Sequence, residues 1–412
     1  MMIRSVFGTA VAALVAVGGL SSPASSEPLK AEVIHWWTSA GESAALKVFA
    51  NAFNGAGGEW IDNAIAGGLA ARQAAIGRIV AGDPPAANQF NISREFEDLI
   101  AKGLLADLEA RATADRWREA IPETLLKSGE RNGKMYALPT NVHGQNWIWY
   151  NKAVLDQAGA TPPKGWGEDM FAALDKVKAA GKIPLAISGT PVYEYSVFHS
   201  ILLDIAGPDV WYAIHRDRDE AALKGDALRK AFQTFQRLHT YADEGTPGRV
   251  WNAATQLVIT GRAAFTAVGD WAKGEFIAAK MTPGKDYGCV LPKGVIIVGG
   301  DVFVFPKQKD PQKQAAQDLL VKVMFDKKVQ KDFNALKGSV PSRTDVDMAD
   351  ADACSQTAMT ALRNKTGNVQ RASMMVPPQV DGELRDLVSE FWNNPSMSVD
   401  EAMERYAELV LG

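Results

Sequence analysis

Eleven tryptophans stand against five histidines in this chain of 412 residues, and that ratio sorts the chemistry it can do. Flat aromatic faces able to stack on the C–H surface of a ring are plentiful, while nitrogen ligands for a metal are few. The histidines, at 35, 143, 199, 215 and 239, show no His-Glu-x-x-His or other metal-ligand spacing, and no metal site is expected. Gly129-Glu130-Arg131-Asn132-Gly133-Lys134 is one residue short of a phosphate-binding loop and is followed by Met135 where Ser or Thr is required. No Gly-x-Ser-x-Gly nucleophile elbow occurs. The acidic run Asp345-Val346-Asp347-Met348-Ala349-Asp350-Ala351-Asp352 lacks the glycine and the terminal glutamate of a calcium loop, and reads as solvated turns and helix caps. The remaining candidates are the doublet Trp36-Trp37, Trp271, and the carboxylates of Glu42 and Asp301. Their chemistry is stacking and hydrogen bonding.

These residues need elements to hold them. Ala31-Glu32-Val33-Ile34-His35-Trp36-Trp37 reads as a strand, so its two tryptophans point to opposite faces and only one can join a core. Ser39 and Glu42 then fit a capping box, with Leu46, Phe49, Ala50 and Phe53 at helical spacing behind them. Glu42 is thus either a plain helix cap or an acceptor for a ligand. A second strand-to-helix unit runs from Ala86 to Asn91 and on through Phe96, Leu99, Ile100 and Leu104. Asn132-Gly133 is a hairpin turn. Asn146 to Tyr150 alternates as a strand and leads into a helix from Lys152 to Ala158. A helix through Phe171, Leu174 and Val177 precedes a short strand Pro184 to Ile187. Val295 to Phe305 reads as one apolar strand, in which Asp301 follows Gly299-Gly300, and Leu319 to Phe333 as one helix. The tail from Glu383 is helical, broken at Asn393-Asn394-Pro395. Strands alternating with helices give an α/β architecture with a mostly parallel sheet and a more helical middle. Trp147, Trp149, Trp166 and Trp392 are expected in cores.

The balance of 44 basic against 48 acidic residues, formally −4, contains no basic cluster, which argues against nucleic acid as a partner. Residues 1–26 read as a secretory signal: Arg4, then the uncharged run Val6 to Leu20, then small residues from Ser21 to Ser26. That run is too short to span a membrane, and no Cys near the cleavage region supports a lipid anchor. The remaining length suits two lobes better than one core. In an oxidising compartment Cys289 and Cys354, 65 residues apart, could pair and close a loop worth roughly 4 kcal/mol. The other reading is two small buried hydrophobes, and spacing alone does not choose between them.

Gly133-Lys134-Met135-Tyr136-Ala137-Leu138-Pro139, Trp149-Tyr150-Asn151-Lys152, Ala158-Gly159, Pro162-Pro163-Lys164-Gly165-Trp166, Ala179-Ala180-Gly181-Lys182-Ile183-Pro184-Leu185, Gly261-Arg262-Ala263-Ala264-Phe265 and Gly269-Asp270-Trp271 follow one another along nearly the whole chain. In that order they resemble the extracellular solute-binding proteins of bacterial ABC transporters, in the carbohydrate-binding branch. His35-Trp36-Trp37-Thr38-Ser39, Asn141-Val142-His143 and Gly300-Asp301 look most like its glucose/mannose-type members.

The resemblance implies a two-lobe periplasmic binding protein fold with a ligand cleft between lobes joined by crossing strands. It places residues 27–140 and 288–342 in the first lobe and 141–287 and 343–412 in the second. Crossings are expected near 139–142 and 285–290, with a last excursion near 340–350. It further implies a sugar held by Trp36, Trp37, Glu42, Asn91, His143, Trp271, Asp301 and Lys337, with no cofactor and no catalysis. A monomer in the periplasm, partnered by an ABC permease in the inner membrane, would follow. Two departures bear on the ligand. Relatives often carry lysine where Asn91 stands, and histidine in the stretch that here reads Ser373-Met374-Met375-Val376-Pro377-Pro378. Losing a donor and an imidazole changes which hydroxyls are satisfied, so the expectation is a neutral sugar, glucose-like or a close derivative. The alternatives are a periplasmic glycoside hydrolase using two carboxylates, or a binding protein for a charged solute such as a sugar acid, for which Lys337 is the candidate cation.

Overall fold

The structure, a computed structural model, describes residues 1–2 and 27–412. The signal reading falls on residues 3–26 and lies outside the described residues. Three sheets of four or five strands organise the rest, beside a two-stranded hairpin at Glu130–Arg131 and Lys134–Met135. The first lobe carries five strands in the order Gly58–Ala64, Leu29–His35, Ala87–Asn91, Asp301–Val304 and Ala137–Pro139. The pairs among its first three strands are parallel, and Asp301–Val304 is antiparallel to both neighbours. The sheet is therefore mixed rather than mostly parallel, because its fourth strand arrives late in the chain from the other lobe. The second lobe has four strands in the order Tyr287–Val290, Ile148–Asn151, Ala263–Ala267 and Ile183–Leu185.

A third sheet, Val340–Pro341, Asn141–Gly144, Ile296–Gly299 and Asn368–Gln370, joins the two. Ala137–Pro139 passes through Thr140 into Asn141–Gly144, and Ile296–Gly299 passes through Gly300 into Asp301–Val304. The apolar run expected as one strand is thus two, paired to different partners. The turnover needs glycine: a Cβ on Gly300 would lie 2.6 Å from the Asn141 carbonyl oxygen. The crossing expected near 285–290 borders the point where the chain leaves the second sheet after Val290 and enters the third at Ile296. Tyr287–Val290 is hydrogen-bonded to Ile148–Asn151 in the second sheet, and the chain changes sheets again at Gly300.

Local rules account for most elements. Ser39 and Glu42 form the capping box of helix Ala40–Gly55. The hairpin at Asn132-Gly133 has both residues at positive φ, 53° and 73°, as its turn type requires. The region expected as one helix from Leu319 to Phe333 is two, Pro311–Met324 and Lys327–Lys337, because Asp326 caps the second through the Lys328 and Val329 amides. In the acidic run, Asp352 caps Ala353–Arg363, while Asp345 pairs with Arg343 and Lys327. Among the described residues no helix is long and apolar enough to cross a membrane. Cys289 and Cys354 are bonded, tying strand Tyr287–Val290 to the start of helix Ala353–Arg363.

The second lobe's helical core packs Phe198 on Phe232 at 4.5 Å and Phe235 on Trp392 at 4.6 Å. Trp147, Trp149 and Trp166 are buried too. Two histidines are enclosed in this lobe. His215 Nε2 lies 3.0 Å from the Tyr406 hydroxyl, and the His199 ring stands 5.3 Å away. Burial holds His199 well below the usual imidazole range and His215 down to about 4. Both rings are neutral in the fold, whereas the unfolded chain takes up protons below about pH 6.5. Their contribution is therefore complete above that pH and is lost as pH falls toward 4, roughly 3 kcal/mol for His215 alone. Urea denaturation at pH 7 and pH 4.5 should show this loss, reduced in His215→Gln. An equal loss between the two pH values in wild type and variant would refute it.

Candidate functional site

Residues from both lobes converge where the chain crosses. Asp301, the first residue of its strand, is held in place by its own backbone, whose amide donates to Asn141 Oδ1 at 2.7 Å. Its side chain accepts from Gln89 Nε2 at 2.9 Å, from Asn141 Nδ2 at 2.8 Å, and pairs with His143 Nε2 at 3.0 Å. The other His143 nitrogen, Nδ1, bonds Asp270 of the second lobe, whose second oxygen accepts from the Gly144 amide at 2.8 Å. An imidazole on the crossing strand is thus clasped between carboxylates of both lobes, all of them buried.

The electrostatics follow from that arrangement. Burial pulls the His143 pKa down, but the charge and hydrogen bond of Asp270 and the bond from Asp301 outweigh it, and the opposing Lys337 cation does not reverse the net rise. Burial raises the Asp301 pKa, and His143, Lys337 and Asn141 together hold it down to about 2. The arrangement therefore keeps Asp301 ionised and favours the protonated form of the imidazole beside it. Asp301 keeps unused acceptor capacity on Oδ1, since Gln89 takes only one of its lone pairs.

Aromatic rings border this chain. The Trp271 ring stands edge-on to His143 at 5.2 Å, with Tyr193 at 6.3 Å and Trp251 at 6.5 Å. Gly269 is what lets the indole fold back, because a Cβ there would lie 2.1 Å from the Trp271 ring. The Gly-Asp-Trp motif therefore supplies clearance, an imidazole clasp and an aromatic face in three residues. Trp271 Nε1 is buried without a hydrogen-bond partner among the described residues. Burial, with Glu42 and Asp301 nearby, pushes the Tyr193 phenol well above its usual range and keeps it a neutral donor.

Lys337, the last residue of its helix, is 2 % exposed and reaches Glu42 Oε1 at 3.3 Å. Glu42 also bonds Ser39 Oγ at 3.1 Å, so it serves as a helix cap and as the partner of a buried cation. Glu42, His143, Trp271, Asp301 and Lys337 form one neighbourhood. The other three expected residues lie at its margins. Trp37 lies in the first lobe's core, 5.7 Å from Phe303 and 5.2 Å from Phe333, beneath the Lys337 ammonium. Trp36 is half-buried with the Arg72 guanidinium 5.4 Å above its ring, and Arg72 is paired with Glu95 at 3.0 Å. Asn91 is half-buried opposite Asp301 in the strand register. Val376, in the stretch where the resemblance implies a histidine, is fully buried. Asp270, Gln89, Asn141, Tyr193 and Trp251 were not among the expected site residues. Asp270 and Asn141 lie inside motifs that mark the site, while Tyr193 and Trp251 begin helices with no local signature. Among the described residues no group of three or more His, Cys, Asp or Glu side chains is placed to hold a metal ion.

Residues 68–361 match the family described as bacterial extracellular solute-binding protein. A probable sugar-binding periplasmic protein of Mesorhizobium japonicum is 38% identical over 420 residues, covering 100% of this chain and 99% of that one. One of Rhizobium meliloti with the same description is 35% identical, covering 97% of each. Among solved structures, a chitin oligosaccharide binding protein superposes with a TM-score of 0.77 at 18% identity, covering 93% of this chain and 98% of that one. Maltose-bound MalE3 of T. maritima gives 0.73 at 19% identity, with 93% and 99% covered. At these identities the structures establish the fold, two α/β lobes about a cleft. The matched length, together with the near-complete coverage of the relatives, places this chain in the bacterial extracellular solute-binding protein family.

Proposed function

We propose that this protein is the periplasmic substrate-binding component of an ABC importer, capturing a neutral, glucose-like monosaccharide or close derivative and handing it to a membrane permease. The observation that carries the reading is the buried chain Asp270–His143–Asp301 beside the Trp271 face. A pyranose offers hydroxyls around its rim and C–H on its faces, so it needs fixed charged acceptors in the ring plane and an aromatic surface above it. Glu42 neutralises Lys337, and the group presents no unpaired cation, which favours a neutral ligand over a sugar acid. Asn91 and the buried Val376 alter the hydroxyl pattern expected of a glucose site. The names of the sugar-binding relatives support the ligand class and the periplasmic setting, to which the signal at residues 1–26 would deliver a monomer. We place residues 27–139 and 301–341 in the first lobe and 148–290 with the C-terminal helices in the second.

Closure follows from differential contact: the sugar touches both lobes only when they are together, so it shifts the population toward the closed form. Trp271→Ala should weaken binding of the neutral sugar roughly tenfold or more with the fold intact, read by calorimetry beside circular dichroism. Wild type should prefer the neutral sugar to the corresponding uronate. Unchanged affinity in the variant, or preference for the uronate, would overturn the reading.

A further inference from the structure

Helix Ala40–Gly55 follows the first-lobe strand Leu29–His35, yet its N-terminus is covered by the second lobe. Helix Ala272–Ala278 lies between the second-lobe strands Ala263–Ala267 and Tyr287–Val290, and its Phe276 stacks on Tyr287 at 4.3 Å, which anchors it to that lobe. Glu275 on this helix is 2 % exposed and accepts a hydrogen bond from the Gly41 amide at 2.9 Å. The backbones are in contact beside it. A Cβ on Gly41 would lie 2.5 Å from the Gly274 carbonyl carbon, and one on Gly274 would lie 2.9 Å from the Leu336 carbonyl oxygen. Only glycine permits these approaches.

The first amides of a helix have no partner inside it, and that end carries partial positive charge. Glu42 serves this terminus from its own helix through the capping box, while Glu275 serves it from across the cleft. When the lobes part, the Gly41 amide and the Glu275 carboxylate must both turn to water. The Glu275 side chain takes no part in the Asp270–His143–Asp301 chain, so this contact favours closure whatever occupies the cleft.

We propose that the Gly41–Gly274 backbone contact and the Glu275 carboxylate form a closure seam that favours the shut arrangement independently of ligand, making Glu275 a positioning residue for binding. The proposal rests on the reading that the lobes open and close over a solute. Apparent affinity scales with the fraction of molecules already in the competent form, so loosening the seam weakens binding without removing a sugar contact.

The test uses the full mature chain. Gly41→Ala suits the purpose because alanine favours the helix it sits in, while its methyl cannot coexist with the seam. Glu275→Ala removes the acceptor and Glu275→Gln retains a weaker one. Small-angle scattering of the unliganded proteins should give a larger radius of gyration for Gly41→Ala and Glu275→Ala than for wild type. Calorimetry should give roughly tenfold weaker sugar binding for Glu275→Ala, with Glu275→Gln in between. At saturating sugar Glu275→Ala should regain the wild-type radius, which a merely damaged fold would not. Superimposable unliganded curves for wild type and both variants, or wild-type affinity in Glu275→Ala, would overturn the seam. Should no sugar bind wild type, the sugar reading falls while the unliganded scattering still decides the seam. Should Gly41→Ala fail to fold by circular dichroism, Glu275→Ala decides it alone.

Discussion

Asp301→Ala should abolish measurable sugar binding and lower stability by roughly 3–5 kcal/mol, the usual consequence of removing one partner from a buried charge pair. Three donors, on Gln89, Asn141 and His143, lose their acceptor at once, and each stays buried. His143 would keep one of its two carboxyl partners, Asp270, and would give up its proton more readily. Asp301→Asn separates the two effects. It preserves volume and some hydrogen bonding, so it should keep the fold while still losing most affinity, because an amide nitrogen facing His143 is a donor where an acceptor is required. Denaturant titration with calorimetry on both variants checks this, and wild-type affinity in Asp301→Asn would remove Asp301 from the site. The pH signs also differ within the pair. The Asp301 contribution is present above its unfolded pKa and is lost as pH falls toward 2, whereas that of His143 is present below about pH 6.5 and is lost as pH rises through its raised folded value.

Loss of the Cys289–Cys354 bond should lower stability by roughly 4 kcal/mol, since the cross-link closes a 65-residue loop in the unfolded chain. Cys354 sits in the first turn of helix Ala353–Arg363, whose cap Asp352 also holds the buried Lys273 at 2.7 Å. Reduction would therefore loosen the anchoring of helix Ala272–Ala278 as well as lengthen the unfolded chain. Urea midpoints of oxidised protein, reduced protein and the Cys289→Ser/Cys354→Ser double variant should show the two altered forms alike and both well below the oxidised one. Equal midpoints for all three would contradict the pairing as a stabilising element.

Features decided within a few residues were legible in the sequence. The capping box at Ser39 and Glu42, the hairpin at Asn132-Gly133 and the helix Lys152–Ala158 each depend on short-range geometry, and each is present. Features decided by distant partners were not. Val295 to Phe305 is apolar apart from Asp301 because both halves are largely buried, so hydropathy conceals the change of sheet, and only Gly299-Gly300 hints at it. Alternation showed that one of Trp36 and Trp37 must face the core. That it is Trp37 depends on Phe303 and Phe333, which arrive from the far end of the chain. The clasp on His143 likewise joins residues 127 and 158 positions away, beyond any local pattern. Motif resemblance reached Asp301, His143 and Trp271 because it carries information about such contacts that spacing lacks. It also named Trp37, whose indole packs against Phe303 and Phe333 beneath the lysine paired with Glu42.

The most direct measurement is a calorimetric titration of the mature, oxidised protein with a panel of neutral mono- and disaccharides beside their uronates. One neutral, glucose-like sugar should bind saturably at one site per chain, and a concentration 100 times its Kd should stabilise the fold by roughly 2.7 kcal/mol. Absence of heat and of stabilisation with every neutral sugar, or binding confined to the uronates, would contradict a neutral-sugar cleft built on Asp301, His143 and Trp271.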